Sequence, residues 1–117
     1  MLFGGILFLL LSAIVPGGHA AEFVSPAARA TVTVNCPEGE VSCDDVDLEL
    51  LRIPAGEVIH ARGRTLHTLC RDGVTPCRFL GYEFTDGDTR IRLYESGVIT
   101  IERGDGSDIL RETGEWR

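Results

Sequence analysis

The sequence predicts an all-β fold, a small antiparallel β-barrel or sandwich of about eight short strands stapled by disulfides. Three observations lead there. From Cys70 to Trp116, blocks rich in Phe, Tyr, Ile, Leu and Val alternate with turn signals at Asp86-Gly87, Glu95-Ser96-Gly97 and Gly104-Asp105-Gly106, the pattern of a β-meander. Strand-length blocks recur at intervals of about ten residues over most of the chain, the spacing of closed or sandwiched antiparallel sheets. Four cysteines fall into two pairs, Cys36/Cys43 and Cys70/Cys77, each closing a segment that holds both Gly and Pro.

The first twenty residues read as an export signal. Leu2 to Val15 is an apolar run of about fourteen residues, too short for a confident membrane span. It ends at Pro16-Gly17-Gly18, and Gly18-His19-Ala20 supplies a small-x-small cleavage pattern, so the expected cut lies between Ala20 and Ala21. No Lys or Arg precedes the apolar run, and an uncleaved amino-terminal anchor is the competing reading. Residues 21–30 (A-E-F-V-S-P-A-A-R-A) are rich in small residues and read as a flexible leader, with the single domain spanning 31–117.

Within that domain Thr31 to Asn35 alternates with period two and forms a first strand, Val32 and Val34 on one face. Val46 to Ile53 alternates as well, with Val46, Leu48 and Leu50 inward. It slips phase at Leu51, and the Leu and Glu content lets helix compete there. Glu57 to Ala61 and Thr65 to Leu69 read as two strands joined by a turn at Arg62-Gly63-Arg64. Arg78 to Phe84 is the most hydrophobic strand; Leu80, Tyr82 and Phe84 form its expected core face, and Gly81 allows a bend. Thr89 to Tyr94 pairs with Val98 to Glu102, and Asp108 to Arg111 returns across Gly104 to Ser107. Trp116, near the last residue, is expected to plug one end of the barrel, the alternative being exposure for binding. Leu80, Tyr82, Phe84, Leu93 and Trp116 are expected to fill the interior.

The charge balance narrows the partners. The chain carries 18 acidic and 11 basic side chains, a net charge of −7, and none of these charges lies in the first twenty residues. Such a surface argues against nucleic acid and anionic membranes, which call for clustered Lys and Arg, and favours a cationic partner. After signal cleavage no membrane association is expected, and localisation is expected to be periplasmic or secreted.

An even cysteine count in an exported chain implies disulfides. Pairing of Cys36 with Cys43 and of Cys70 with Cys77 is favoured, because each closes a short loop already rich in turn formers. The alternative joins one loop to the other. A zinc site built from these cysteines with His60 and His67 is disfavoured, since structural sites space paired ligands two to four residues apart. His60 and His67 are placed on adjacent strands, where they can face each other across the hairpin at Gly63. A Ser96-His67-Asp72 triad lacks a nucleophile-elbow motif. The Asp-Gly pairs are hairpin chemistry rather than calcium loops. No catalytic residue, metal or cofactor is expected.

A cleaved signal, a mature chain of about 100 residues, a stapled antiparallel barrel and an acidic surface together resemble the periplasmic inhibitors of c-type lysozyme. The resemblance covers most of residues 31 to 116. In that family a loop carrying Ser-Gly followed by a basic residue and Tyr enters the lysozyme cleft. Here Ser96-Gly97 matches, while Val98-Ile99-Thr100 stands where the basic residue and the Tyr would follow. The departure bears on the inhibitory contact, not on the barrel. The resemblance implies a non-enzymatic domain that binds a cationic peptidoglycan hydrolase through Ser96 and Gly97. Glu95 is able to reach acid or acceptor groups in a cleft, and Asp72 in the second cysteine loop completes the expected binding set. The competing classes are a structural or assembly module of the envelope and a small-ligand carrier, the latter requiring a cavity inside the barrel.

Overall fold

The computed structural model describes residues 19–117 and shows a nearly closed antiparallel β-barrel of nine strands. They are β1 (His19–Ser25), β2 (Ala28–Val34), β3 (Val46–Arg52), β4 (Val58–Leu69), β5 (Pro76–Asp86), β6 (Thr89–Tyr94), β7 (Val98–Glu102), β8 (Asp108–Thr113) and β9 (Glu115–Trp116). Neighbours in sequence are neighbours in the sheet from β1 to β8, so the chain is an up-and-down meander. Closure falls to the last residues. At Gly114 the chain leaves β7 and joins β1, pairing Trp116 with Phe23 and Glu115 with Val24. The Arg117 N–H donates to the Glu22 carbonyl at 2.8 Å. Across the same seam, the Ala27 N–H donates to the Glu112 carboxylate at 2.7 Å. Pairing the last strand with the first covers part of the β1 edge, which would otherwise present unpaired N–H and C=O groups.

The alternation read from sequence sets the core. Val46, Leu48 and Leu50 of β3 point inward and are 0–2% exposed. Val32, Phe84, Ile91, Leu93, Ile99 and Ile101 meet them from the other strands. The outer face is polar and laced across strands. Glu83 accepts from Arg92 Nε at 2.8 Å and from Arg64 Nη2 at 3.3 Å, and Arg62 bonds Asp45 and lies 3.6 Å from Asp47.

Burial alone would push the Glu83 carboxyl up; the guanidinium hydrogen bonds of Arg92 and Arg64 outweigh it and hold the carboxyl below its ordinary 4.5. A depressed folded-state value means a stabilisation that is complete above the ordinary value and lost as pH falls through the folded one. Glu83→Gln is therefore expected to cost about 1–2 kcal/mol at neutral pH. The gap from the unsubstituted protein should narrow in thermal melts below about pH 4.

Three sequence expectations are corrected. Residues 21–30 are not a flexible leader: they form most of β1 and the start of β2, and Phe23 is 0% exposed. Their small residues are what close packing at the seam demands, Ala28 and Ala30 being buried. Arg62-Gly63-Arg64 is not a turn, because β4 runs unbroken through it for 12 residues. Gly63 is small because β5 crosses it closely: a Cβ there would overlap the Glu83 carbonyl oxygen and stand 2.7 Å from Phe84 Cδ1. His60 and His67 therefore share one strand instead of facing each other. His60 lies 3.9 Å from Glu49, and His67 packs edge-on against Phe79. Helix loses to strand over Val46–Arg52, as the alternation indicated. The expected export signal, residues 1–20, lies almost wholly outside the described residues; His19 and Ala20 are described, in β1.

Candidate functional site: the stapled end of the barrel

The register places both cysteine loops at one end of the barrel. His19 pairs with Val34, Val34 with Val46, Val46 with Gly63 and Gly63 with Phe84, so the β2–β3 loop and the β4–β5 hairpin project the same way. Tyr94 pairs with Gly81 and with Val98, which brings the β6–β7 turn at Glu95–Gly97 to that end as well. The Ser96 and Asp72 loops thus share an end.

Each loop is fixed in its own way. Cys36 bonds Cys43, and Cys70 bonds Cys77, with Cα separations of 5.9 and 5.0 Å. These are the pairings favoured by spacing, and no cysteine is free. Consequently none is available to a metal. Among the described residues no three His, Cys, Asp or Glu side chains gather as a metal site. The first loop is pinned onto β4: the Thr65 N–H donates to the Cys43 carbonyl at 2.8 Å, and the Cys43 N–H donates to Thr65 Oγ1 at 2.9 Å. The second is folded around Asp72, whose carboxylate accepts from the Thr75 hydroxyl and from the N–H groups of Val74 and Thr75, both at 2.9 Å. Led by the Thr75 hydroxyl, these bonds lower the Asp72 carboxyl to about 2.

The floor between the loops is aromatic. His67, Phe79, Tyr82 and Trp116 form a run of edge-on contacts with ring centroids 5.6, 5.3 and 5.9 Å apart, and Trp116 reaches Phe23 at 5.2 Å. Trp116 caps this end of the core, half-buried, its Nε1–H donating to the Tyr94 carbonyl at 3.0 Å. Three hollows open beside Phe79. One of about 340 Å³ lies between the Cys36–Cys43 loop and Thr65, His67, Phe79 and Tyr82. Another of about 340 Å³ is walled by Ala21, Phe79, Tyr82, Glu95 and Trp116. A third of about 260 Å³ runs along Arg78, Phe79, Leu80, Tyr94, Glu95 and Ser96. At this end Val41 and Val74 on the two stapled loops and Leu69 at the end of β4 are exposed apolar side chains, 58–78% exposed. At the opposite end a hollow of about 210 Å³ is lined by turn residues such as Asp88, Arg103 and Gly106 together with Arg90 of β6, and is largely polar.

Of the residues predicted from sequence, Glu95 and Ser96 are exposed on this end and border its hollows. Gly97 is buried: its carbonyl accepts the Gly114 N–H at 2.8 Å, so it serves the closure seam. Asp72 spends its carboxylate on its own loop. No hydrogen bond joins Ser96, His67 and Asp72 among the described residues: Asp72 bonds within its own loop and His67 packs against Phe79.

Sequence reasoning missed Phe79 and misplaced Leu80. Strict alternation put Leu80 inward with Tyr82 and Phe84 and turned Phe79 out. The pairing instead shifts register between Leu66 and His67, so that Leu66 faces Gly81 and His67 faces Phe79. This bulge brings the Phe79 ring to the Tyr82 side and sends Leu80 toward the hollow outside β5. Gly81 was the available signal. It sits at a φ of +147°, and a Cβ on it would overlap the Leu93 carbonyl oxygen.

No protein-family model matches the chain, no curated protein is similar to it, and no solved structure matches it.

Proposed function

We propose that this protein is an exported, non-enzymatic binding domain that docks a cationic protein through the stapled end of its barrel, acting as an inhibitor or immunity-type protein against a cell-wall hydrolase such as lysozyme. The observation that carries the reading is the convergence at one end of two disulfide-closed loops, the Glu95-Ser96 turn and an aromatic floor with exposed Val41, Leu69 and Val74. Apolar and aromatic groups held on rigid loops lose little conformational entropy on binding, which favours protein recognition. The net charge of −7 steers cationic partners toward the barrel. Disulfides and the apolar leader support an oxidising, extracytoplasmic location, periplasmic or secreted.

The small-ligand carrier is the weaker reading, since the barrel interior is filled by fully buried Phe23, Leu50, Phe84, Ile91, Leu93 and Ile99. An envelope assembly module would use the same end; it is distinguished by binding a resident envelope protein and leaving hydrolases unaffected.

The test is a titration of the purified protein into lysozymes of different classes while lysis of peptidoglycan-bearing cells is followed. Stoichiometric loss of lysis is expected, weakened at least about tenfold by Ser96→Arg, which sets a like charge against a cationic partner. The association rate should fall several-fold as salt rises, as for any steered encounter. Unimpeded lysis by every class, or an on-rate indifferent to salt, would count against the inhibitor reading.

A further inference from the structure

We propose that the hollow walled by Phe79, Tyr82, Trp116 and Glu95 is a cage for an organic cation, and that its occupant is the side-chain head of an arginine or lysine presented by the partner protein. The inference deepens the reading of the stapled end as a docking surface and rests on it, naming the group the partner inserts.

The walls carry the argument. Phe79 meets Tyr82 at 5.3 Å with 72° between ring planes, and Tyr82 meets Trp116 at 5.9 Å with 62°. Three aromatic rings thus line one hollow of about 340 Å³, and a cation seated against a ring face there would be attracted through the ring quadrupole. Ala21, the remaining lining residue, takes up little of that space.

A carboxylate completes the cage, held by the elements that hold the rings. The Glu95 N–H donates to the Leu80 carbonyl at 2.8 Å, tying Glu95 to the bulge of β5 that carries Phe79. The carbonyl of the preceding residue, Tyr94, accepts the indole N–H at 3.0 Å and fixes the plane of Trp116. With its one donor already used, the indole offers the hollow a ring, not an N–H. The Tyr82 phenol is raised above its ordinary value, by burial first and then by the negative charge of Glu95, which places that charge beside the ring.

Glu95 is also unspent. Among the described residues its side chain enters no ion pair and no hydrogen bond, whereas Glu83, Asp45, Asp47 and Glu102 are tied to arginines. Arg78 borders the adjoining hollow beside Glu95 without pairing with it, and Arg117 is engaged by Glu115 at 3.8 Å. An exposed carboxylate bordering the same hollow as three rings is therefore open to a cation from outside. A guanidinium suits it best, because it stacks flat on a ring and offers a planar fork to the carboxylate.

Trp116 is the single tryptophan of the chain, so the cage reports on itself by fluorescence. The protein is titrated with N-acetyl-argininamide, N-acetyl-lysinamide, the neutral N-acetyl-citrullinamide and tetramethylammonium. Saturable change is expected with the arginine and lysine probes, with dissociation constants on the order of millimolar, as suits one side chain in an open site. Citrulline should bind at least about tenfold more weakly. Glu95→Gln should weaken the arginine probe roughly tenfold, and Glu57→Gln, on the exposed β3–β4 loop at the opposite end, should leave it unchanged.

Equal binding of citrulline, or a Glu95→Gln variant that binds like the unsubstituted protein, overturns the cage. Tetramethylammonium binding tighter than both amino-acid probes overturns the choice of a protein side chain in favour of a free quaternary amine. No hydrolase enters these titrations: a cage that binds while lysis is unaffected removes the inhibitor reading alone, and inhibition without cage binding removes this inference alone.

Discussion

Replacement of Gly63 by alanine is expected to destabilise the fold by about 3 kcal/mol, lowering the melting temperature by on the order of 15 °C. The reason is the crossing of β4 and β5. Gly63 pairs with Val46 on one side and with Phe84 on the other, and its missing Cβ is the space occupied by the Glu83 carbonyl and the edge of the Phe84 ring. The backbone cannot retreat without breaking the ladder on which Glu83 gathers Arg64 and Arg92. Were Gly63 a hairpin turn open to solvent, as its setting between two arginines suggested, alanine would cost far less. Denaturant unfolding of the variant measures the difference.

Phe23→Ala is expected to cost about 3–5 kcal/mol, the toll of emptying a fully buried aromatic site. Phe23 is 0% exposed, pairs with Trp116 across the closing seam and meets its ring at 5.2 Å. Its loss leaves a void at the one place where the sheet closes by only two paired residues. The same variant should shift the emission of Trp116 toward that of a hydrated indole before global unfolding. A stability indistinguishable from the unsubstituted protein would mean that β1 contributes nothing to the barrel.

These two residues also mark where the sequence was and was not legible. Strands β3, β6 and β7 were readable because alternation and turn chemistry agree in them: Val46, Leu48 and Leu50 are spaced by two, and Asp86-Gly87 and Ser96-Gly97 bound β6. The disulfides were readable because each closes a short loop rich in turn formers. Phe23 was not, because its neighbours are small and interrupted by Pro26, and composition says nothing of a seam 93 residues away at Trp116. Gly63 was not, because a glycine that opens a turn and a glycine that lets two strands cross look alike in one dimension. In the candidate site, Glu95 and Ser96 could be picked out as turn residues. The aromatic floor could not, since a bulge at Leu80-Gly81 inverts the face of Phe79 and period-two reading has no way to place it.

The features on which docking is proposed lie at the stapled end, whereas Val58 is the exposed large apolar side chain at the opposite end among the described residues. Val41, Leu69 and Val74 are exposed where the disulfides limit movement, and the rings beneath them are oriented by their own contacts. At the other end the Asp105 carboxylate is taken up by the Ser107 hydroxyl at 2.7 Å, and the Gly104 position lies close against Asp88.

The measurement that tests this most directly is amide hydrogen exchange along the chain with and without saturating lysozyme, each class in turn. The account predicts added protection confined to residues 19–22, 36–43, 69–82, 94–98 and 115–117, with the turns at 86–88 and 103–107 unchanged. Protection centred on those opposite turns, or no protection with any class, would contradict it.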